Sequence, residues 1–203
     1  MYFENSKYKD MYKVCKDKYG DTFGTNIYEK AENYFERFLD EADYRNSEII
    51  KGHMKNSIFP VLSYYMALLD LGIEQTIAYN NVLEQTQRYA EIEKKKNQSL
   101  GRMFGAYFMF RIAVKKVMAK NFPCEGWETE WVKCNKEEVH FNLKRCVYHE
   151  TVKKYGHPEL CTVFCKNDTT AFSGFLPKIK FKRNGTISDG NKMCDFHFFK
   201  NKA

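Results

Sequence analysis

The chain has 203 residues, of which 43% are hydrophobic and 16% aromatic, a composition that builds a folded core and excludes an intrinsically disordered protein. Its 33 basic and 26 acidic residues give a formal net charge of +7. The lysines are interspersed with acids, and the densest run, Lys94-Lys95-Lys96, follows Glu91 and Glu93 as on a solvated helix face, so we expect no nucleic-acid partner.

The first residues carry charges where a secretory signal peptide needs an apolar segment, so we expect a cytoplasmic protein. A reducing compartment and an odd number of cysteines, seven, argue against a disulfide framework. The cysteines are therefore predicted to be free thiols, metal ligands or nucleophiles.

Through the first 120 residues, apolar side chains recur every three or four positions, which is the period of amphipathic helices. One such segment covers residues 27–42. A second follows Asn46-Ser47 and contains Pro60, which either lies in the first turn of a helix that starts near Ser57 or kinks a longer helix. Gly72 suits the end of that helix.

Two further helical segments cover residues 73–92 and 102–120. The longest apolar run, residues 103–110, is followed by Arg111 and is shorter than the ~20 residues that span a bilayer. We therefore predict a buried helix there and no membrane partner.

Beyond Pro123 the apolar period shifts toward two. Strands are predicted near residues 127–133, 138–145, 178–183 and 193–199, with Asn184-Gly185 as a tight hairpin turn before the last strand. Two short helices, at about 147–155 and 158–167, lie between the strand pairs; Gly156 ends the first and Pro158 suits the first turn of the second.

These elements predict an α+β fold. A helical, bundle-like region of residues 1–122 packs with a region of residues 123–203 that holds a small antiparallel sheet of about four strands and two short helices. The two regions are treated as parts of one compact unit, and the second is expected to carry the site.

Cys146 lies where a strand gives way to a helix, a position in which the helix dipole favours the thiolate. His149 follows on the same helix face, so the pair is a candidate nucleophile and base. The alternative is a buried cysteine with a surface histidine.

Cys161, Cys165 and Asp168 follow one another at i, i+4 and i+7 and form one stripe of the second short helix. They predict a pocket wall, or else they complete the core stripe while Asp168 caps a turn. Glu159, in the first turn, is a further candidate, or it only complements the helix dipole.

A metal centre is a second interpretation of the same residues. Cys146, His149, Cys161 and Cys165 supply four donors suited to zinc, and with Cys194 several cysteines could hold an iron–sulfur cluster. Neither spacing is Cys-x2-Cys, so no cofactor is firmly implied.

The sequence from residue 146 onward resembles the C-terminal signature of the L-2-amino-thiazoline-4-carboxylic acid hydrolase family, and the likeness extends more diffusely over residues 45–199. The residues that carry it are Cys146 and Tyr148; Gly156, Glu159, Leu160 and Cys161; Phe164, Cys165 and Asp168; Arg183, Thr186 and Ile187; Gly190; and Cys194, Asp195 and Phe196.

The resemblance implies a hydrolase that opens a cyclic isothiourea carrying a carboxylate: water adds at the amidine carbon, the ring carbon–sulfur bond breaks, and N-carbamoylcysteine results. The catalytic candidates are Cys146, His149, Cys161, Cys165 and Asp168. Candidates for binding the substrate are Glu159, Arg183, Thr186, Cys194 and Asp195.

Asp168 or Glu159 would face the amidinium, and Arg183 would face the carboxylate with its bidentate fork. The attacking group would be a thiolate, from Cys146 with His149 or from Cys165 beside Asp168, or else an activated water in the form of a metal-bound hydroxide. Taken alone, Arg183 is also consistent with a solvated edge charge and Asp195 with a structural ion pair.

Two other functions stay open at this point. One is a non-catalytic module that binds a small ligand, zinc or an iron–sulfur cluster through the same cysteines and histidine. The other is an interaction protein in which residues 1–120 form a partner surface or the interface of a homodimer.

Overall fold

The computed structural model describes residues 1–201. The chain groups into two compact units, one over Met1–Gln85 and one from Thr86 onward. The last long helix ends at Asn121 and the first strand begins at Trp127, while a division into domains at residue 122 stays a prediction.

The first unit is helical. After a 3-10 turn at Phe3–Asn5 it contains α1 (Met11–Tyr19), α2 (Asp21–Glu41), α3 (Glu48–His53), α4 (Phe59–Asp70) and the start of α5 (Gln75–Arg102). Fully buried rings of Phe3, Phe35, Phe38 and Phe59 form its aromatic core. The helical period of residues 27–42 is thereby confirmed, and the helix extends further toward the N-terminus than predicted.

The helical backbone around Pro60 is continuous and already begins at Glu48, where the Ser47 hydroxyl accepts the Ile50 N–H at 3.3 Å. A π-helical turn, Met54–Ile58, joins α3 to α4, and Pro60 lies in the first turn of α4. Because proline has no N–H, one backbone hydrogen bond of the helix is missing at Pro60. The wider π-helical turn before it accommodates this loss without ending the helix.

The second unit contains the rest of α5, then α6 (Ala106–Asn121), β1 (Trp127–Cys134), β2 (Glu138–Cys146), α7 (Val147–Lys154), α8 (Cys161–Ser173), β3 (Ile179–Lys182) and β4 (Cys194–Lys200). A 3-10 turn, Pro158–Leu160, leads into α8. The strands form one antiparallel sheet in the order β1-β2-β4-β3. The α+β fold, with its four strands and two intervening helices, is confirmed.

One face of the sheet forms the core of this unit. Cys194, Phe196 and Phe198 alternate inward along β4. The Phe198 ring lies 4.9 Å from the ring of Phe110 on α6 and 5.2 Å from that of Phe172 on α8, measured between centroids. Both helices therefore pack against the same face of the sheet.

The tight hairpin turn predicted at Asn184-Gly185 is wrong. β3 and β4 do pair, from Ile179↔Lys200 to Lys182↔His197, but residues 183–193 form a longer loop between them. The Asp195 carboxylate accepts hydrogen bonds from the backbone N–H groups of Asn184 and Gly185 at 2.8 and 2.9 Å. These two N–H groups are thus bound by a side chain and not by the facing strand of a two-residue turn.

The buried helix predicted over residues 103–110 is confirmed only in part: residues 106–110 are helical and Ala106 and Tyr107 are buried, but residues 103–105 are not helical. α5 ends at Arg102, the chain turns through Gly105 in the left-handed region with φ 72°, and α6 begins at Ala106. The apolar run therefore spans a corner, and Phe104, Phe108 and Met109 are exposed. None of the helices between residues 1 and 201 combines the length and apolarity needed to cross a membrane.

Candidate active site

Four cysteines from three different stretches of the second unit come together. Cys146 ends β2 and precedes α7, Cys161 and Cys165 lie one turn apart on α8, and Cys194 begins β4. The Cys161 thiol lies close enough to Cys146 and to Cys165 to shift the pKa of each, and Cys165 and Cys194 shift each other in the same way. We call these four residues, Cys146–Cys161–Cys165–Cys194, the thiol row.

Burial alternates along the thiol row. Cys161 and Cys194 are buried, whereas Cys146 and Cys165 are partly exposed. Cys146 and Cys165 are therefore the two members of the row with surface open to solvent, and each lies beside the buried Cys161.

The electrostatics of the row single out Cys165. The S–H groups of Cys161 and Cys194, then the Ser188 hydroxyl and the Arg183 guanidinium, lower the pKa of Cys165 to about 2, against the opposing effect of burial. The same contacts raise the pKa values of Cys161 and Cys194, since each stays protonated while it donates to a neighbouring sulfur.

The pKa of Cys146 is also lowered. The first cause is the Cys161 thiol, and the backbone N–H groups of His149 and Tyr148 at the start of α7 add to it, while burial opposes. Cys161 carries a single S–H proton, so at any moment it donates either to Cys146 or to Cys165. Apart from Cys161, each of the two sulfurs has two donors that lower its pKa, and for Cys165 the charge of the Arg183 guanidinium adds to them.

A chain of hydroxyl groups links Cys165 to solvent. The Ser188 Oγ lies 3.3 Å from the Cys165 Sγ and 2.7 Å from the Thr186 Oγ1, and the Thr186 hydroxyl donates to the Asp189 Oδ2 at 2.6 Å. Thr186 is buried and Asp189 is exposed. We call Cys165–Ser188–Thr186–Asp189 the hydroxyl chain.

The Ser188 hydroxyl has one hydrogen, which it can donate either to the Cys165 sulfur or to the Thr186 Oγ1. The hydroxyl chain therefore places a donor within reach of the Cys165 thiolate.

Arg183 supports the thiol row from the loop after β3. Its Nη2 donates to the Asp168 Oδ2 at 2.9 Å, its Nη1 to the Cys165 carbonyl oxygen at 3.3 Å, and its Nε to the Asp195 carbonyl oxygen at 3.3 Å. The guanidinium lies over the Phe196 ring, 4.0 Å from the centroid. With a side chain that is only 8% exposed, Arg183 is held firmly beside Cys165.

Asp168 shares this ion pair but keeps access to solvent, with 39% of its side chain exposed. Desolvation of its carboxyl group raises the pKa to about 6, against the lowering effect of Arg183. Asp168 thus lies beside the thiol row as a carboxylate at neutral pH.

His149 lies on α7, close enough to the Cys165 sulfur for the two to interact electrostatically. Burial, and then the positive charge of Lys153, lower the pKa of His149, while Cys165 opposes that shift. The imidazole is therefore neutral at pH 7 and able to accept a proton.

The structure gives three of the predicted substrate-binding residues definite partners within the protein. Glu159 pairs with His157, with 3.4 Å between Oε1 and Nδ1. Thr186 belongs to the hydroxyl chain, and the Asp195 carboxylate holds the backbone of residues 184 and 185. Their roles in binding a substrate stay predictions.

The metal interpretation finds little support in this geometry. Among residues 1–201, no three or more His, Cys, Asp and Glu side chains converge as ligands for a metal ion. The predicted donors Cys161 and Cys165 lie beside each other, but a zinc site needs four donors arranged around one point. Whether the protein takes a cofactor stays a prediction.

Ser188 and Asp189 are site residues that the sequence reasoning missed. Their segment was assigned to a hairpin, yet Thr186-x-x-Asp189 has the spacing of a capping box. Thr186 does cap the 3-10 turn Ile187–Asp189, where its Oγ1 accepts the Asp189 N–H at 3.2 Å. That spacing was the signal that could have identified them.

Comparison with known proteins yields one family. The sequence model of the L-2-amino-thiazoline-4-carboxylic acid hydrolase family matches residues 72–198, which include the sheet, the thiol row and the hydroxyl chain. A search of curated proteins and a search of solved structures each gave no significant match.

Proposed function

The chain belongs to the L-2-amino-thiazoline-4-carboxylic acid hydrolase family, and from this we propose that it is a hydrolase that opens a small cyclic isothiourea such as 2-amino-thiazoline-4-carboxylate, with Cys165 as the nucleophile. The observation that carries the proposal is the environment of the Cys165 sulfur. The residue is partly exposed, a hydroxyl lies 3.3 Å from its sulfur, and two buried thiols and a guanidinium lower its pKa.

In the first half of the reaction, the Cys165 thiolate adds to the amidine carbon of the ring and forms a carbon–sulfur bond. The bond between that carbon and the ring sulfur then breaks. The ring sulfur leaves with the bonding electron pair as a thiolate and takes up a proton. The amidine carbon remains attached to Cys165.

In the second half, water adds to that carbon and loses a proton, and the bond to Cys165 breaks. The products are N-carbamoylcysteine and the regenerated Cys165 thiolate, with one water consumed overall. Neutral His149 is the base assigned to this water, since it lies near Cys165 and its lowered pKa leaves it unprotonated.

The departing ring sulfur needs a proton donor close to the reacting sulfur. Cys161 and Cys194 are both protonated thiols in contact with Cys165. Cys161 is assigned this role, and the proton that it gives up is replaced by the one that the attacking water loses in the second half of the reaction.

Substrate recognition is assigned to the ion pair beside the row. A protonated amidine is planar and cationic, so it pairs well with a carboxylate. The partly exposed Asp168 carboxylate is assigned as its partner. Arg183 is the predicted partner of the substrate carboxylate, although three of its donors already serve protein acceptors. We therefore assign Arg183 first to orienting Asp168 and Cys165.

The test is to incubate the purified full-length chain with 2-amino-thiazoline-4-carboxylate and to follow N-carbamoylcysteine by mass spectrometry. We expect turnover by the native chain, loss of turnover in Cys165→Ala, and an acid-trapped adduct on Cys165 with the mass of enzyme plus substrate. Cys134→Ala, which changes a partly exposed cysteine outside the thiol row, serves as the control.

Two outcomes would redirect the assignment. If Cys146→Ala abolishes turnover and Cys165→Ala does not, the nucleophile is Cys146, the other sulfur whose pKa is lowered. If the folded chain opens no cyclic amidine and neither substitution changes ligand affinity, the hydrolase proposal fails.

A further inference from the structure

The corner between α5 and α6 exposes a concentration of large apolar side chains. The exposed fractions are 54% for Leu100, 52% for Met103, 104% for Phe104, 55% for Phe108, 58% for Met109 and 59% for Ile112. We call these six residues the apolar corner.

The exposure of the apolar corner is not the result of a poorly packed α6. The opposite face of the same helix is in the core, where Tyr107 and Val114 are buried and the Phe110 ring lies 4.9 Å from that of Phe198. α6 is thus apolar on two sides, and the sheet covers only one of them.

The area is large for a protein surface. With about 200 Å² for a fully exposed large side chain, the six exposed fractions correspond to roughly 700 Å² of apolar surface. The largest apolar patch on a typical monomer is about 300–600 Å², and a stable interface buries about 800 Å² on each partner. The apolar corner therefore approaches what one side of a dimer interface requires.

Charge along α6 restricts how a partner can dock. From Arg102 to Asn121 the chain has no acidic residue, and Lys115, Lys116 and Lys120 follow the apolar corner toward the end of the helix. Two α6 helices side by side in parallel would bring these lysines together. In an antiparallel pair, the apolar halves meet and the lysines lie at opposite ends.

We propose that the apolar corner is the interface through which a second copy of this chain docks, with the two α6 helices antiparallel about a two-fold axis near Phe108 and Ile112. Such an isologous contact uses the same patch on both subunits and is the commonest arrangement of soluble homo-oligomers. The proposal is independent of the hydrolase assignment, because no residue of the thiol row or the hydroxyl chain takes part.

Sedimentation velocity of the full chain over a range of concentrations tests the proposal. We expect a dimer for the native chain and a shift of at least tenfold toward monomer for Ile112→Asp, with an unchanged circular dichroism spectrum. Ile77→Asp is the matched control, since Ile77 lies on α5 with a similar exposed fraction, 54%, and should leave the dimer intact.

A second measurement keeps the test decisive if Ile112→Asp fails to fold. In a Cys124→Ser background, Phe108→Cys should form a disulfide-linked dimer under mild oxidation, whereas Ile77→Cys should not. A native chain that is monomeric at all concentrations overturns the proposal. If that monomer binds anionic lipid vesicles through Phe104, the apolar corner is a lipid-binding surface instead. A dimer that survives Ile112→Asp also overturns the proposal.

Discussion

The Ser188 Oγ lies 3.3 Å from the Cys165 Sγ, although the two residues come from separate elements, a 3-10 turn and a helix. Thr186 fixes the position of Ser188 with an oxygen–oxygen distance of 2.7 Å. The loop that replaces the expected hairpin thus carries a hydroxyl to the most acidic thiol of the row.

Ser188→Ala should lower kcat of the ring opening by about 10–100-fold, because a hydrogen bond to a charged group contributes about 1.5–3 kcal/mol. KM should change little if the hydroxyl acts on the sulfur alone. Steady-state kinetics with the thiazoline carboxylate measures both. Ser173→Ala, which removes a hydroxyl that donates to the Thr170 carbonyl oxygen on α8, is the control and should leave kcat unchanged.

The Cys165 thiol should react with iodoacetamide at pH 6 nearly as fast as at pH 8. Its pKa is lowered from 9.0 to about 2, so the thiolate persists throughout this range, whereas an ordinary thiol loses roughly a hundredfold in thiolate between these two pH values. Mass spectrometry of peptides from a Cys124→Ser chain gives the rate at each cysteine. A Cys165 rate that falls a hundredfold on going to pH 6 would contradict the assignment.

The lowered pKa of Cys165 also determines how the free energy of unfolding changes with pH. Between pH 2 and 9 the unfolded chain binds a proton at Cys165 that the folded chain does not, so the contribution of this thiol to folding grows as pH rises to 9 and is lost as pH falls toward 2. In Cys165→Ala, the free energy of unfolding should therefore depend less on pH across this range. Urea titrations at several pH values measure it.

The local spacing of the sequence was enough to predict part of the site. Cys161, Cys165 and Asp168 lie on one stripe of α8 because i, i+4 and i+7 follow the helical period, and Cys194 faces inward because β4 alternates. The capping-box spacing marks the segment of Ser188 but does not place it against Cys165. That placement depends on Asp195, which holds the amides of Asn184 and Gly185 from eleven and ten residues further along the chain, whereas the Asn-Gly pair favoured a tight turn.

The apolar corner was mispredicted for a related reason. Hydrophobicity indicates that residues 103–110 avoid water, but it does not indicate whether the chain itself covers them. Gly105 turns the chain in the middle of this run, and this conformation separates Phe104 from the core.

Activity should fall as pH drops through about 6. The Asp168 pKa is raised to about 6, so below this value the carboxyl is protonated and loses its attraction for Arg183 and for a cationic amidine. The folded-state pKa lies above the ordinary value of 3.8, so the contribution of this group to stability is greatest below pH 3.8 and declines as pH rises toward 6, opposite to its effect on activity. Asp168→Asn should lower kcat/KM and remove the inflection near pH 6, and a pH–rate profile that keeps the inflection would assign it to another group.

Gly24→Ala should destabilise the first unit by about 1–3 kcal/mol, the usual cost of overpacking. A Cβ at Gly24 on α2 would lie 2.4 Å from the Cys15 carbonyl oxygen of α1, so the two helices would have to separate. Gly52→Ala is the matched control, because Gly52 is also helical but a Cβ there meets nothing within 4 Å. This second substitution should stabilise the chain by about 0.5–1 kcal/mol, since alanine has less backbone freedom to lose on folding. Thermal and urea unfolding of the two variants compares them directly, and equal effects of the two substitutions would mean that α1 and α2 do not pack as closely as the structure has them.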